Sequence, residues 1–377
     1  MIPPRNAPPS SAEGVLAWAD TQQHAQPRRR RAGLPPDMHL HTATGGVARA
    51  AAALGRAKGL DIEPFLRRAN LLRRTLDDPQ TRIPVVQQVA FVNALAQALK
   101  DDQLGFHLAQ AVDLRQAGLI YYVAASSDDV ARSIKNLERY CRIANESVVL
   151  TVRAADSLRV ELAYSGLARH SDRHQIEFLI ALVVRMYREL TAAPLRVVEA
   201  GFTHQRIRGG QPYRRFFGCA VQFGASADFV AFHRDVGSVA LQKRDEYLNH
   251  ILIGMCEKML AQKGTISTPW RTKTQNILGP LLPHGTASLK NVANVLGLSP
   301  RTLTRRLAGE GTTFVAVLDS MRRELALVYI LDHHLPLGHI AWLLGFSEQS
   351  AFSHAFRRWT GKAPRSARAE RGSPAPM

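Results

Sequence analysis

Two short segments near the C-terminus carry polar side chains of the kinds that hydrogen-bond to nucleic-acid bases and phosphates. Those side chains are Arg301, Thr304 and Arg305 in the first segment, and Gln349, Ser350, Ser353 and His354 in the second. Arginine and glutamine form paired hydrogen bonds with base edges in the major groove, and hydroxyl groups contact bases or phosphates. Because each set falls on one face of a predicted second helix of a helix-turn-helix unit, we expect both sets to contact double-stranded DNA.

The two segments, residues 288–307 and 337–356, repeat one arrangement of apolar residues that would position those side chains. The apolar residues of the first helix share one face, and they are Val292, Ala293 and Leu296 in one copy and Ile340, Ala341 and Leu344 in the other. Gly297 and Gly345 follow these helices, where the chain needs the left-handed backbone that glycine adopts freely. The repeat predicts two short helices, each followed by a tight turn.

A capping serine is predicted to begin the second helix of each unit. Ser299 would cap the first one, with Pro300 in its first turn, and Ser347 would cap the other. Apolar pairs four residues apart would pack this helix on its predecessor, and they are Leu303 with Leu307 and Phe352 with Phe356. A single helical hairpin with a glycine turn is weak evidence, but two matched copies are much less expected by chance.

Residues 314–331 are predicted to form one helix between the two units. Its inner side would carry Phe314, Leu318, Met321, Leu325 and Val328. About 18 residues at about 1.5 Å each span roughly 27 Å. Successive major-groove faces lie about 34 Å apart, so both units could bind the same side of one duplex.

The positive net charge of the chain is consistent with DNA binding but does not establish it. The chain has 49 Lys and Arg against 31 Asp and Glu, a net charge of +18. Residues 269–377 hold 14 Lys and Arg against 6 Asp and Glu, which is +8 of that excess. Within them, Arg357 and Arg358 are candidates for phosphate contact, with simple solvation as the equal alternative. A basic balance favours an anionic partner but does not identify one.

Residues 269–368 resemble the DNA-binding domain of the AraC/XylS family of bacterial regulators. The resemblance is carried by LGFSEQSAFSHAFRRWTGKAP at residues 344–364, followed by Arg368. His354 stands where arginine is usual, which leaves the base preference of the second unit open, and Ala367 stands where an aromatic residue is common. The resemblance implies a transcription regulator, with RNA polymerase as a partner if it is an activator.

The N-terminal half has a different pattern. Residues 147–152 and 158–162 are predicted to be two strands joined by a polar turn, and a helix over 173–190 and strands at 195–202 and 221–223 follow. From about Lys243 onward every pattern is helical. The predicted fold is therefore an α+β N-terminal sensor domain plus an all-α C-terminal domain with two helix-turn-helix units joined by a long helix.

This half resembles the arabinose-binding-like sensor domain of the ornithine-utilisation regulator subgroup. Its matching motifs are Leu60-Asp61, Arg82-Ile83-Pro84, Leu104-Gly105, Ser126-Ser127 and the stretch from Tyr213 to Phe223, within residues 47–240. The resemblance implies a small-molecule effector of unknown identity, and its label does not make arabinose that ligand. We expect the protein to work as a homodimer.

These patterns divide the chain into five segments. Residues 1–40 are predicted to be a disordered Pro/Arg-rich tail, and residues 41–255 a ligand-sensing and dimerisation domain. Residues 256–268 form the predicted linker, 269–368 the DNA-binding domain, and 369–377 a second disordered tail.

The sequence gives weak support for disulfide bonds, a membrane segment or a metal site. The three cysteines are scattered without a CxxC pair, which suits a reducing cytoplasm, and the sequence has no apolar run near the roughly 20 residues of a membrane span and no signal peptide. We therefore expect a cytoplasmic protein with no membrane partner. His170 and His174 are four residues apart but lack a third metal ligand, so we expect no metal and no cofactor.

Two other functions compete with the regulator. An enzyme such as an alkyl-DNA repair methyltransferase would need a reactive cysteine near an activating group, and no such arrangement or other catalytic motif is visible. An architectural DNA-binding protein would use its N-terminal domain only to dimerise. We expect a ligand-controlled regulator that is not an enzyme.

Overall fold

The computed structural model describes residues 41–78, 81–192, 194–206, 209–262, 269–283, 285–332 and 335–372. The predicted tail at residues 1–40, the last part of the linker at 263–268 and the final residues 373–377 lie outside the described residues.

Ten α-helices precede the linker in the described residues. They are α1 (Gly46–Ala57), α2 (Glu63–Arg68), α3 (Arg73–Asp77), α4 (Val85–Ala98), α5 (Leu104–Ala111), α6 (Leu119–Ser126), α7 (Val130–Ala144), α8 (His174–Leu190), α9 (Gln211–Phe217) and α10 (Glu246–Ala261). Side-chain caps start several of them: Asp129 accepts a hydrogen bond from the backbone N–H of Arg132 at 2.7 Å at the start of α7. Helix α8 has 12 buried residues, and the sheet and α5 pack around it.

Within the described ranges, seven strands form two sheets. They are β1 (Thr42–Ala43), β2 (Ile83–Pro84), β3 (Val148–Ala154), β4 (Ser157–Tyr164), β5 (Val197–Phe202), β6 (Val221–Phe223) and β7 (Asp228–His233). Strands β1 and β2 pair with each other, and the other five form a sheet in the order β3-β4-β7-β5-β6. The pairs β3–β4, β4–β7 and β7–β5 are antiparallel, whereas β5 and β6 are parallel.

The predicted hairpin at residues 147–162 is confirmed as β3 and β4, with Val152 paired to Val160. The central strand β7 was not predicted. Its residues are buried on both faces up to Phe232, so they lack the alternation that identifies a half-exposed strand. The predicted strand over 195–202 begins at Val197.

Seven α-helices follow the linker in the part of the chain that the structure describes. They are α11 (Trp270–Leu281), α12 (Leu289–Val295), α13 (Pro300–Gly309), α14 (Phe314–Tyr329), α15 (Leu337–Leu343), α16 (Gln349–Thr360) and α17 (Pro364–Gly372). They enclose two hydrophobic clusters, one around Leu278, Leu303 and Met321 and the other around Ala326 and Phe352. Because α14 supplies residues to both clusters, it holds the two helix-turn-helix units in one body. The predicted fold class, an α+β domain followed by an all-α domain, is confirmed.

Two helices extend beyond the boundaries drawn from the sequence. Helix α10 continues past residue 255 to Ala261, and Cys256 is fully buried in the core of the preceding domain. Helix α17 continues past residue 368 to Gly372, so residues 369–372 belong to a helix and not to the predicted tail. No helix in the described ranges has both the length and the apolar character needed to cross a membrane.

Candidate nucleic-acid interface

The first helix-turn-helix unit has the predicted geometry. Gly297 follows α12 with φ 65°, the left-handed conformation that the turn requires. The hydroxyl of Ser299 accepts a hydrogen bond from the backbone N–H of Thr302 at 3.2 Å, and α13 starts at Pro300. Leu303 on α13 is fully buried, so the opposite side of this helix faces outward.

The second unit repeats this design with one difference at the start of α16. Gly345 has φ 71°, and Phe352 and Phe356 are fully buried. The predicted cap at Ser347 is wrong, because the helix begins at Gln349 and its N-cap residue is Glu348, which makes no side-chain capping bond. The chain enters α16 one residue later than the matching serine suggested.

The predicted DNA-contacting side chains lie on the outer faces of α13 and α16. The exposed ones are Arg301, Thr304 and Arg305 on α13 and Gln349, Ser350 and His354 on α16, and Ser353 is half-buried. Two hydroxyls donate to their own helices: that of Thr304 to the carbonyl of Pro300 at 3.0 Å, and that of Ser353 to the carbonyl of Gln349 at 2.9 Å. Each oxygen keeps lone pairs that can accept a hydrogen bond from a base.

The two candidate phosphate-contacting arginines differ. Arg357 and Arg358 are both exposed on α16. The guanidinium of Arg358 donates to the carboxylate of Asp319 on α14 at 2.8 Å, so this arginine joins the second unit to the connecting helix. Solvent-exposed pairs of this kind contribute little stability, so Arg358 could exchange its carboxylate for a phosphate at low cost.

The connecting helix α14 has a different inner side from the one predicted. Its buried residues are Val317, Met321 and Ala326, whereas Val328 is 51% exposed. The prediction placed Val328 on the inner side because it extended a regular spacing through Leu325. Ala326 instead belongs to the second hydrophobic cluster, because the last turns of α14 pack against the second unit and not against the first.

Arg322 on α14 positions the turn of the second unit. Its guanidinium donates to the carbonyls of Leu344 and Gly345, both at 2.9 Å, and lies 4.5 Å from the ring centre of Phe346. Burial lowers its pKa, yet arginine stays charged at neutral pH. Sequence reasoning missed this residue, because its partners are some twenty positions away along the chain.

Direct contacts join the DNA-binding helices to the preceding domain. His170 and Glu324 on α14 share a hydrogen bond of 2.8 Å, and the His170 side chain is only 4% exposed. The side chain of Asn276 on α11 accepts from the backbone N–H of Arg169 at 2.8 Å and donates to the carbonyl of Leu167 at 3.0 Å. In the sequence His170 and His174 are four residues apart, the spacing of two metal ligands on one helix. The structure places His174 elsewhere, buried against α5.

Arg169 also belongs to a buried polar network within the sensor domain. Arg169 forms two hydrogen bonds with the carboxylate of Asp228, at 2.6 and 2.7 Å, and a third with Nδ1 of His204 at 3.0 Å. Because Arg169 can only donate, His204 carries its proton on Nε2 and donates it to Glu177 at 2.9 Å. Burial would raise the pKa of Glu177, but the hydrogen bond from His204 and the charge of Arg206 outweigh it and lower the pKa to about 2.

A cleft with a volume of about 810 Å³ lies between the two domains. One wall carries the polar network, including Arg169 and His204, and the other carries apolar side chains of α14, Leu325, Val328 and Tyr329. Burial raises the pKa of Tyr329 to about 12, so this phenol is protonated at neutral pH. The mixed walls and the volume suit a small organic molecule.

Family comparisons agree with this architecture. Residues 59–237 match the arabinose-binding domain of AraC transcription regulator, N-term. Residues 292–370, which include the second helix of each unit, α13 and α16, match a helix-turn-helix domain family.

Similar proteins are transcription regulators, and two of them match this chain over most of their length. The chain is 29% identical over 326 residues to the HTH-type transcriptional regulator VirS of Mycobacterium tuberculosis, covering 85% of this chain and 94% of VirS. It is 28% identical over 313 residues to the Ornithine utilization regulator of Pseudomonas aeruginosa, covering 81% and 90%. A match to the Transcriptional activator NphR of a Rhodococcus species is 29% identical over 202 residues, covering 48% and 54%. The chain belongs to the AraC family of transcription regulators and combines a ligand-binding sensor domain with a helix-turn-helix DNA-binding domain.

Proposed function

We propose that the protein recognises its operator by inserting α13 and α16 into two successive major grooves on one side of the duplex. In the first groove Arg301, Thr304 and Arg305 contact base edges, and Arg357 and Arg358 contact phosphates beside the second. Helix α14 has 16 residues. At about 1.5 Å per residue it is about 24 Å long, which suits two units that follow one face of the DNA.

The observation that carries this proposal is the repeated pairing of a buried and an exposed helix face. Leu303 and Leu307 fix the orientation of α13, and Phe352 and Phe356 fix that of α16. The residues opposite these anchors therefore face solvent with limited freedom to rotate. The second set, Gln349, Ser350, Ser353 and His354, gives a different hydrogen-bonding pattern from the first, so the two half-sites should differ in sequence.

Arginine substitutions test the assignment. An arginine that donates two hydrogen bonds to one guanine contributes about 1–3 kcal/mol of discrimination. Arg301→Ala and Arg305→Ala should weaken operator binding by that amount and weaken binding to random DNA much less. Arg153→Ala removes the same charge from the sensor sheet, far along the chain, and serves as the control. Equal losses on operator and random DNA would assign the arginine to a phosphate, and undiminished operator binding would refute its placement.

We also propose that the effector occupies the cleft and controls the DNA-binding domain from there. The cleft is bounded by both domains, so a molecule bound in it can favour one arrangement of the contacts His170–Glu324 and Arg169–Asn276 over another. Only such a difference in affinity between two arrangements can regulate DNA binding.

A metabolite screen on the full chain tests this location. A ligand found by thermal shift should also change operator affinity, and Val328→Trp should weaken both effects because the larger side chain narrows the cleft. A thermal shift that this substitution leaves unchanged would place the ligand elsewhere. Chemical conversion of the ligand by the purified protein would overturn the proposal that the protein is not an enzyme.

The cysteines support that non-enzyme proposal. Burial raises the pKa of Cys141 and Cys219, and it raises the pKa of Cys256 to about 11. A nucleophilic thiol needs a lowered pKa, so none of the three suits a methyl-accepting enzyme. We further propose that the protein acts as a homodimer and activates transcription through RNA polymerase. The relative NphR is named a transcriptional activator.

A further inference from the structure

The charged side chains around the cleft between the two domains do not balance one another. The carboxylates that line it all make hydrogen bonds or electrostatic interactions within the protein, and they are Asp101, Asp102, Glu161, Asp172, Asp228 and Asp332. Among the described residues, the side chains of Lys100 and Arg173 in the same lining have no hydrogen-bond or carboxylate partner. The cleft therefore carries positive charge that the protein itself does not neutralise.

Arg173 is the better placed of these two cations. It lies directly before α8 and is half-buried, whereas Lys100 is exposed, so water competes for the hydrogen bonds of the lysine. The neighbouring carboxylate of Asp172 is occupied, because it accepts from the hydroxyl of Tyr164 at 2.8 Å and from the backbone N–H of Gln175 at 2.9 Å. Arginine stays charged and can donate two parallel hydrogen bonds to one carboxylate. Arg173 is therefore suited to bind an acidic group of a ligand.

The opposite wall supplies a second donor. Tyr329 on α14 lines the cleft, and its hydroxyl has no hydrogen-bond partner within the described ranges. Burial raises the pKa of Tyr329 to about 12, although the positive charges of Arg169 and Arg173 oppose that rise. The phenol is thus protonated at neutral pH and lies within electrostatic range of the Arg173 guanidinium. One acidic group between the two walls could accept hydrogen bonds from both side chains.

Apolar side chains lie on the same wall as Tyr329. Val328 is 51% exposed and Leu331 is 38% exposed, and both line the cleft together with Leu325. Removal of exposed apolar side chains from water favours the binding of an apolar group. The ligand that fits this cleft therefore combines an acidic group with an apolar body.

We propose that the effector is an organic monocarboxylate, with its carboxylate between Arg173 and Tyr329 and its apolar body against the apolar side chains of the same wall. This inference rests on the proposed effector site and names the chemical class of its ligand. The carboxylates around the cleft disfavour a second negative charge, which selects a carboxylate over a phosphate dianion. Because Arg173 belongs to the sensor domain and Tyr329 to the DNA-binding domain, the bound carboxylate joins the two domains.

Titration calorimetry on the full-length protein tests the ligand class. The probes are aliphatic and aromatic monocarboxylates, with benzoate and hexanoate as the simplest, and each is compared with its uncharged primary amide. The acids should bind at least about tenfold more tightly than their amides, because hydrogen bonds to a charged group contribute more than those between neutral groups. Phenyl phosphate tests the phosphate alternative, and it should bind more weakly than benzoate.

Substitutions test the two donors. Arg173→Gln should weaken acid binding by about 10-fold to 100-fold and remove the preference for acid over amide. Tyr329→Phe removes only the hydroxyl and should weaken acid binding by about threefold to tenfold. Lys100→Gln removes the same charge from the exposed part of the cleft, and as the matched control it should change the affinity by at most about fivefold. Circular dichroism should show all three variants folded, because none of the removed groups has a hydrogen bond to a carboxylate in the described residues.

The outcomes separate this inference from the proposed effector site. Equal binding of acids and amides, a preference for acids that survives Arg173→Gln, tighter binding of phenyl phosphate, or failure of every acid to bind overturns the carboxylate class. A neutral ligand whose binding is weakened by Val328→Trp keeps the cleft as the effector site and overturns the class alone. An acid whose affinity is unchanged by Val328→Trp overturns both. Acid binding that Arg173→Gln and Val328→Trp weaken, and Lys100→Gln does not, supports both.

Discussion

The two turn glycines have the same backbone conformation but different surroundings, so their replacement by alanine should have different effects. A β-carbon at Gly345 would lie 2.6 Å from the backbone carbonyl oxygen of Leu282, at the end of α11. A β-carbon at Gly297 would have no neighbour within 4 Å among the described residues. The second turn is therefore packed against another backbone segment, and the first turn faces open space.

The cost of each change follows from these contacts. A left-handed backbone costs a residue with a side chain about 1–2 kcal/mol, and the smaller freedom of alanine in the unfolded chain offsets about 0.4–1 kcal/mol. Gly297→Ala should thus destabilise the DNA-binding domain by about 1 kcal/mol or less. Gly345→Ala adds the overlap with Leu282, which is worth about a further 1–3 kcal/mol because a backbone oxygen cannot rotate away.

Tryptophan fluorescence during urea unfolding measures this difference. Three of the four tryptophans, Trp270, Trp342 and Trp359, lie in the DNA-binding domain, and the ring centre of Trp359 is 6.2 Å from that of Phe346. Gly309→Ala is the control, since this glycine has a helical backbone and an open β-carbon position, and it should be neutral or stabilising. Equal losses for Gly297→Ala and Gly345→Ala would refute the argument from packing.

Two further predictions concern pH and domain independence. Burial lowers the pKa of His174 to about 3, so as the pH falls from 6.5 to 5 the unfolded chain binds a proton at this residue and the folded chain does not. The free energy of unfolding therefore falls with decreasing pH, and His174→Gln should reduce that fall by about 1.4 kcal/mol per pH unit. An unchanged slope in urea titrations at several pH values would contradict the burial of a neutral imidazole. A fragment of residues 269–377 should fold and bind DNA with a steep salt dependence, because its two hydrophobic clusters lie wholly after the linker; an unfolded circular dichroism spectrum would contradict that boundary.

Local patterns explain why the DNA-binding domain could be predicted from the sequence. The glycines at 297 and 345, the cap at Ser299 and the apolar pair Phe352 and Phe356 act on neighbouring turns of the chain, so their spacing is visible without a structure. The errors were also local. Ser347 and Val328 were placed by copying a regular spacing across positions where the helix starts later or changes its packing partner.

Features that depend on distant parts of the chain could not be predicted. Strand β7 is central to the sheet and buried on both faces, so its sequence lacks strand periodicity. Arg322 supports the Gly345 turn, and His170 contacts Glu324 across the domain boundary. Each is an ordinary polar residue in the sequence, and only the fold brings it to its partner.

Selection of binding sites from random DNA with the full-length protein tests the central claim, that α13 and α16 each recognise one half-site. The selected sequences should contain two conserved blocks whose centres lie about 10–10.5 base pairs apart, one turn of DNA. Arg305→Ala should erase base preference in one block and leave the other unchanged, and Gln349→Ala should do the reverse. A single conserved block, or loss of preference in both blocks from either substitution, would contradict the claim.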